Sequence, residues 1–199
     1  MFNLAFDTRK GIKTYLSTLS AVLDTLSVED THEIITYIQT AYENNQQIFV
    51  VGNGGSASTA SHMACDLGKT VRGVTTEYGV RRMRAVALTD NVALLTAWGN
   101  DASYDVVFSE QLRTHGSPND LLIVITASGN SPNIVEAVKA ARDLGMRSVG
   151  LLGFSGGKVK DLVDHSVVVG SNDYGQVEDA HMVLTHAITA HFQQVCRNQ

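Results

Sequence analysis

The apolar residues of this chain follow two patterns, a stripe at three- and four-residue spacing and a set of short unbroken runs, and their order predicts the architecture. Ile12, Tyr15, Leu16, Leu19, Val22, Leu23 and Leu26 form a first helical stripe. A second helix follows, with Ser27 or Asp30 to cap it and Ile34, Ile35, Ile38, Ala41 and Tyr42 on its apolar face, until Glu43-Asn44-Asn45-Gln46 ends it. Ile48-Phe49-Val50-Val51 breaks this period. Four β-branched or aromatic residues are too few for an ordinary helix and read as a buried strand.

A helical pattern then runs from Ser56 to Lys69, with Ala60, Met63, Ala64 and Leu67 on one side and Ser58, His62 and Asp66 one turn apart on another. Thr70 to Arg84 lacks a clean period and reads as a mobile loop. Ala85 to Asp90 is a short strand ending in the polar pair Thr89-Asp90, and Val92 to Trp98 and Tyr104 to Leu112 suggest two short helices around a turn. Beyond the strand Leu121–Ile125, a helix from Pro132 to Leu144 is closed by Gly145. A strand at Arg147–Gly153, a short helix at Val159–Val163 and a strand at Ser166–Val169 come next. The last helix, Gln176 to Gln194, is apolar on nearly every side, which predicts burial between subunits or against the leading helices. Such alternation is that of an α/β fold with a largely parallel sheet, whose ligands sit at the carboxyl ends of the strands.

Two of those ends carry the same plan. Gly52-Asn53-Gly54-Gly55-Ser56 follows the first strand, and its glycines allow positive φ and close approach to a ligand, while Ser56 and Ser58 stand where a new helix exposes unpaired N–H groups. That geometry attracts anions, phosphate above all. The spacing is neither the dinucleotide fingerprint nor the Walker loop, and taken alone it is equally a plain strand-to-helix corner. About 75 positions later Thr126-Ala127-Ser128-Gly129-Asn130-Ser131-Pro132 repeats the plan, with Ser131 as N-cap and Pro132 at the first helical position.

This pair of turns resembles the sugar isomerase (SIS) domain family and, within it, the phosphoheptose isomerases, over nearly the whole chain. The resemblance implies one SIS domain over residues 1–199, a parallel five-stranded, doubly wound, flavodoxin-like sheet at 46–199 with two extra helices at 1–45. It implies isomerisation of sedoheptulose 7-phosphate to D-glycero-D-manno-heptose 7-phosphate, through an enediol, in a homotetramer. Substrate contacts would come from Asn53, Gly54, Gly55, Ser56, Thr126, Ala127, Ser128 and Ser131, and from Thr89 and Asp90. The family sets His and Glu four apart on the first core helix, and Gln and His eight apart on the last, around zinc. Here the matching residues are His62 and Asp66, then Glu178 and His186. They would hold Zn²⁺, with Asp66 and His186 as the catalytic groups and Asp66 and Glu178 also meeting substrate.

Both histidines keep the register and both partners differ, Asp66 being one methylene shorter than the family's glutamate base. Thr70 stands where the family often has arginine. Helical geometry puts His62 and Asp66 about 40° apart, Glu178 and His186 about 80°, and His181 about 140° from His186. Read without the resemblance, His62–Asp66 is an exposed i,i+4 pair and Glu178 a capping carboxylate. A second function also fits the fold, a non-catalytic phosphosugar-binding regulator or initiator-protein partner.

Composition narrows the classes. Fifteen Lys and Arg against twenty Asp and Glu give a formal charge of −5, which argues against a nucleic-acid or membrane surface as partner. Cys65 and Cys196 form no C-x-x-C motif and read as free thiols of a cytoplasmic protein, Cys65 as small core filling. No apolar run in the sequence reaches the length of a bilayer span.

Overall fold

The computed structural model describes residues 7–73 and 81–197; residues 74–80 of the stretch read as a mobile loop lie outside them. Five parallel strands, β1 (Gln47–Val51), β2 (Arg84–Ala87), β3 (Leu121–Thr126), β4 (Arg147–Gly153) and β5 (His165–Val169), form one sheet in the order β2-β1-β3-β4-β5. This is the doubly wound arrangement expected. Every residue of β3 is buried, as befits the middle strand of a sheet covered on both faces.

Alternate side chains feed two cores. Ile48, Val50, Leu121, Ile123, Val149, Leu151 and Val167 pack beneath α2 (Val28–Glu43), α3 (Gly55–Cys65) and α8 (Tyr174–Arg197). Phe49, Val51, Leu122, Val124 and Leu152 meet α5 (Ser109–His115), α6 (Pro132–Asp143) and α7 (Gly157–Lys160). The two predicted helices after β2 are α4 (Val92–Asp101), a 3₁₀ turn at Tyr104–Val106 and α5. Ser103 caps that 3₁₀ turn, accepting the Asp105 N–H, and Val107 and Phe108 then drop into the core, which divides the second helix.

Local chemistry moves three boundaries. The α-helical part of α3 stops at Cys65, and Asp66–Thr70 continues as one π turn closed by the Val71 N–H on the Asp66 carbonyl at 2.9 Å. The second strand ends at Ala87, so Thr89 and Asp90 lie in the turn beyond it. The last helix begins two residues early because the Asp173 carboxylate accepts the Gln176 N–H at 3.0 Å.

The last helix is also not buried all round. Val177, Ala180, Leu184, Ile188 and Phe192 enter the core, whereas Val183 is 43% exposed and Ala187 and Ala190 are exposed beside it. The first helix, α1 (Thr8–Leu23), buries no residue, and Ile12 and Leu16 on its apolar stripe are 61% and 59% exposed. It is tied to α8 through the Tyr15 hydroxyl, which donates to Asp179 Oδ2 at 2.6 Å. That bond, with the surrounding carboxylates, pushes the phenol up to about 12.

His181 is fully buried on the core face of α8, where among the described residues neither ring nitrogen makes a hydrogen bond of full geometry and the Leu152 backbone is the one polar group acting on the ring. Burial lowers its pKa from 6.5 to about 4. The unfolded chain therefore binds a proton across that window that the folded chain refuses, and the stability His181 contributes above pH 6.5 is lost as pH falls toward 4. Urea unfolding at pH 7 and pH 5 checks this: the drop in stability should be smaller in His181→Leu than in the parent protein.

Candidate active site

The strand order reverses direction between β1 and β3, and at their carboxyl ends the two small-residue turns lie side by side. Gly52 is required at the first turn, since a Cβ there would lie 2.4 Å from the Ser56 carbonyl oxygen. Gly54, at φ 56° and ψ −122°, takes a backbone conformation that L side chains avoid and offers no cap to α3. Among the described residues the N–H groups of Gly55 and Ser56 find no hydrogen-bond acceptor. They remain donors for a ligand.

The second turn is braced from within. Thr126 Oγ1 accepts the Gly129 N–H and Ser128 Oγ accepts the Asn130 N–H, each at 3.3 Å. Ser131 sits at the N-cap position of α6, yet its hydroxyl makes no capping bond. Pro132 has no N–H to offer, and the Ile134 N–H closes instead on the Ser131 carbonyl at 3.1 Å. Among the described residues the Ser131 hydroxyl has no hydrogen-bond partner.

Between the turns is a cavity of about 120 Å³ lined by Asn53, Ser56, Thr126, Ala127, Ser128, Ser131, Tyr174 and Glu178. Seven of these eight were candidate site residues from the sequence, Tyr174 being the addition. Gly54 and Gly55 shape the turn but do not line the cavity. Ser56 is 5% exposed and its hydroxyl has no partner among the described residues.

A pair of asparagines holds the turns together, Asn53 from the first motif and Asn133, which no motif marks. Asn53 and Asn133 exchange side-chain hydrogen bonds, each amide donating to the other's oxygen at 2.8 Å, and Asn133 is 2% exposed. Tyr104 adds a hydroxyl donated to Asn53 Oδ1 at 3.2 Å. A polar residue just inside a helix, two places past an N-cap serine, was the one sequence signal for Asn133.

A second cluster stands further along α3 and α8. His62 Nε2 is 3.0 Å from His186 Nε2 and 3.4 Å from Asp66 Oδ2. Asp66 is 8% exposed and also accepts a hydrogen bond from Thr189 at 3.3 Å. The three donor atoms lie within 4.8 Å of one another. Tetrahedral Zn²⁺ with ligands at about 2.0–2.1 Å holds neighbouring donors about 3.3 Å apart, so this spacing suits the ion. Glu178 stands outside this group of three, its carboxylate turned to the cavity instead.

Other candidates fall elsewhere. Asp90 accepts hydrogen bonds from Ser61 and Thr89 at the end of β2, and neither Thr89 nor Asp90 lines the cavity between the turns. Cys65 is exposed rather than core filling, because it is on the outward side of the last α-helical turn before the π turn.

A family model described as SIS domain matches residues 14–153. A phosphoheptose isomerase of Aliarcobacter butzleri is 39% identical over 180 residues, 89% of this chain and 92% of that protein. Among solved structures, a phosphoheptose isomerase from Neisseria gonorrhoeae superposes with a TM-score of 0.85 at 30% identity, covering 94% of this chain and all of the other. One from Francisella tularensis gives 0.86 at 27%, covering 95% and 100%.

Loss of the amide pair should be felt in both fold and site. Asn133→Ala is expected to cost about 1–3 kcal/mol in urea unfolding, the scale of a buried polar group left without its partner, and to weaken binding of inorganic phosphate in calorimetry. Tyr104→Phe, altering an exposed side chain, should change stability by under about 0.5 kcal/mol.

Proposed function

We propose that this chain, which belongs to the SIS domain family and is a phosphosugar isomerase, interconverts sedoheptulose 7-phosphate and D-glycero-D-manno-heptose 7-phosphate. One observation carries the reading: α3 and α8 both border the anion cradle between the turns, and they and the π turn that continues α3 carry the His62–Asp66–His186 cluster. Six residues of α3 separate Ser56 from His62, a rise of about 9 Å. An extended seven-carbon sugar has that reach between a terminal phosphate and its C1–C2 end.

In this reading the free N–H groups at the start of α3 and the hydroxyls of Ser56, Ser128 and Ser131 bind the phosphate. Thr126 and Ala127 form the cavity wall, and Asn53 with its buried partner Asn133 holds the turns at a fixed separation. Asp66 takes the proton from one of the two carbons and returns it to the other, oriented by Thr189 and His62. His186 moves a proton at the sugar oxygen. Zn²⁺, held by His62, Asp66 and His186, would supply a Lewis acid for the carbonyl. Thr89 and Asp90 meet sugar hydroxyls from outside the cavity. No described helix is long and apolar enough to cross a membrane, and both cysteines are unpaired, as a reducing cytoplasm leaves them.

Asp66→Asn tests the chemistry most directly. The amide oxygen can still ligate but the base is gone, so turnover should fall by a factor of about 10² or more, with sugar-phosphate affinity retained and exchange of the C2 proton with deuterated solvent lost. Metal analysis should find close to one zinc per chain in the parent protein and none in His186→Ala. A variant that turns over normally removes Asp66 from the reaction.

The exposed apolar stripe of α1 and the exposed Val28, Val183, Ala187 and Ala190 support assembly into a homotetramer. Light scattering at micromolar concentration should give the mass of four chains; a monomeric mass defeats the assignment.

A further inference from the structure

We propose that the Glu178 carboxylate is a resident anion of the cradle, which an incoming phosphate group must displace, so that this side chain holds the affinity for phosphate low. The inference rests on the reading of the cradle as a phosphate seat. A Cβ built on Gly55 would lie 2.3 Å from Glu178 Oε2 and 2.5 Å from Cδ and Oε1. The carboxylate therefore fills the side-chain space of the first residue of α3. That helix start is uncapped by any side chain, and its positive end favours negative charge.

Among the described residues Glu178 has neither a hydrogen bond nor an ion pair, although Ser56, Ser128 and Ser131 share its cavity. The charged and titratable groups around the first turn of α8 are Asp173 just before it, Tyr174, which lines the same cavity, Asp179 on the helix, and Tyr15 from α1, whose phenol is raised by all three carboxylates. None of them is a cation. An anion entering the cavity meets a like charge at close range, where repulsion between unit charges is strong even at an intermediate dielectric. Ser56, 5% exposed and unpartnered, faces the same space and marks it as a seat made for a ligand beyond this carboxylate.

Removing the charge while keeping the shape isolates the effect. Inorganic phosphate and, separately, sulfate are titrated by calorimetry into the purified full chain, its Glu178→Gln and Glu178→Ala variants, and Ser56→Ala. Both anions should bind at least tenfold more tightly to Glu178→Gln and to Glu178→Ala than to the parent protein, and Ser56→Ala should bind them more weakly. Unchanged or weaker phosphate binding in both Glu178 variants overturns the proposal. Weaker phosphate binding with tighter sulfate binding also overturns it, by assigning Glu178 to accept the phosphate's own proton. Phosphate binding that ignores Ser56→Ala removes the cradle itself, and with it the reading on which the inference rests. Ser56 dependence without a gain in the Glu178 variants removes only the inference.

Discussion

Parallel pairing of β1 with β3 is the constraint on which the rest of the structure depends. The register Ile48 with Leu121 through Val51 with Val124 brings two turns of separate sequence origin abreast at the carboxyl edge of the sheet. Strand order then runs outward in both directions, and the crevice at that reversal has helix starts on each side. The reciprocal Asn53–Asn133 bond spans it, one residue from each turn segment. Both amides would be left unpaired in a sheltered place if the turns separated, which makes the spacing of the crevice stiff.

Glycine sets how closely the parts approach. Gly129, at φ +63°, lies so near the Gly156 carbonyl that no side chain fits, and Gly153 is similarly pressed by Val177. These contacts seat the β3 turn on the β4 turn and the start of α8 on β4. The position of Glu178 over Gly55 follows from that seating, because Glu178 is one residue beyond Val177 on the same helix.

The acidic groups of the site are managed in two ways. Asp66 is buried beside His62 and receives the Thr189 hydroxyl, so its charge has local partners. It also stands at the first residue of the π turn, where the wider winding of the backbone changes the angular step along the helix. Glu178 has no such partners among the described residues and leans on the start of α3. Two carboxylates carried by neighbouring helices thus occupy adjacent but distinct environments, one beside imidazoles and one beside serines.

Most of the fold was legible in the chain because its signals are local. Unbroken runs such as Leu121–Ile125 allow little but a buried strand, and their alternation with helical stripes allows little but a parallel sheet. Ser56, Ser128, Ser131 and Thr126 were legible for the same reason, since strand, small turn and helix start are consecutive in sequence. Asn133, Thr189 and Tyr174 were not. Asn133 and Thr189 bond to groups 80 and 123 residues away, Tyr174 meets the two turns only across the cavity, and no local pattern distinguishes such a residue from an ordinary helical one. Angular position on an ideal helix brought Glu178 near His186, but helical phase says nothing of two turns of axial separation or of what lies opposite each turn. Only packing of α8 against α3 decided that His186 meets His62 while Glu178 meets Gly55. The same limit applies to α1 and to the outer side of α8, whose apolar residues predict burial by composition, while the surface that covers them is a matter of tertiary and quaternary contact.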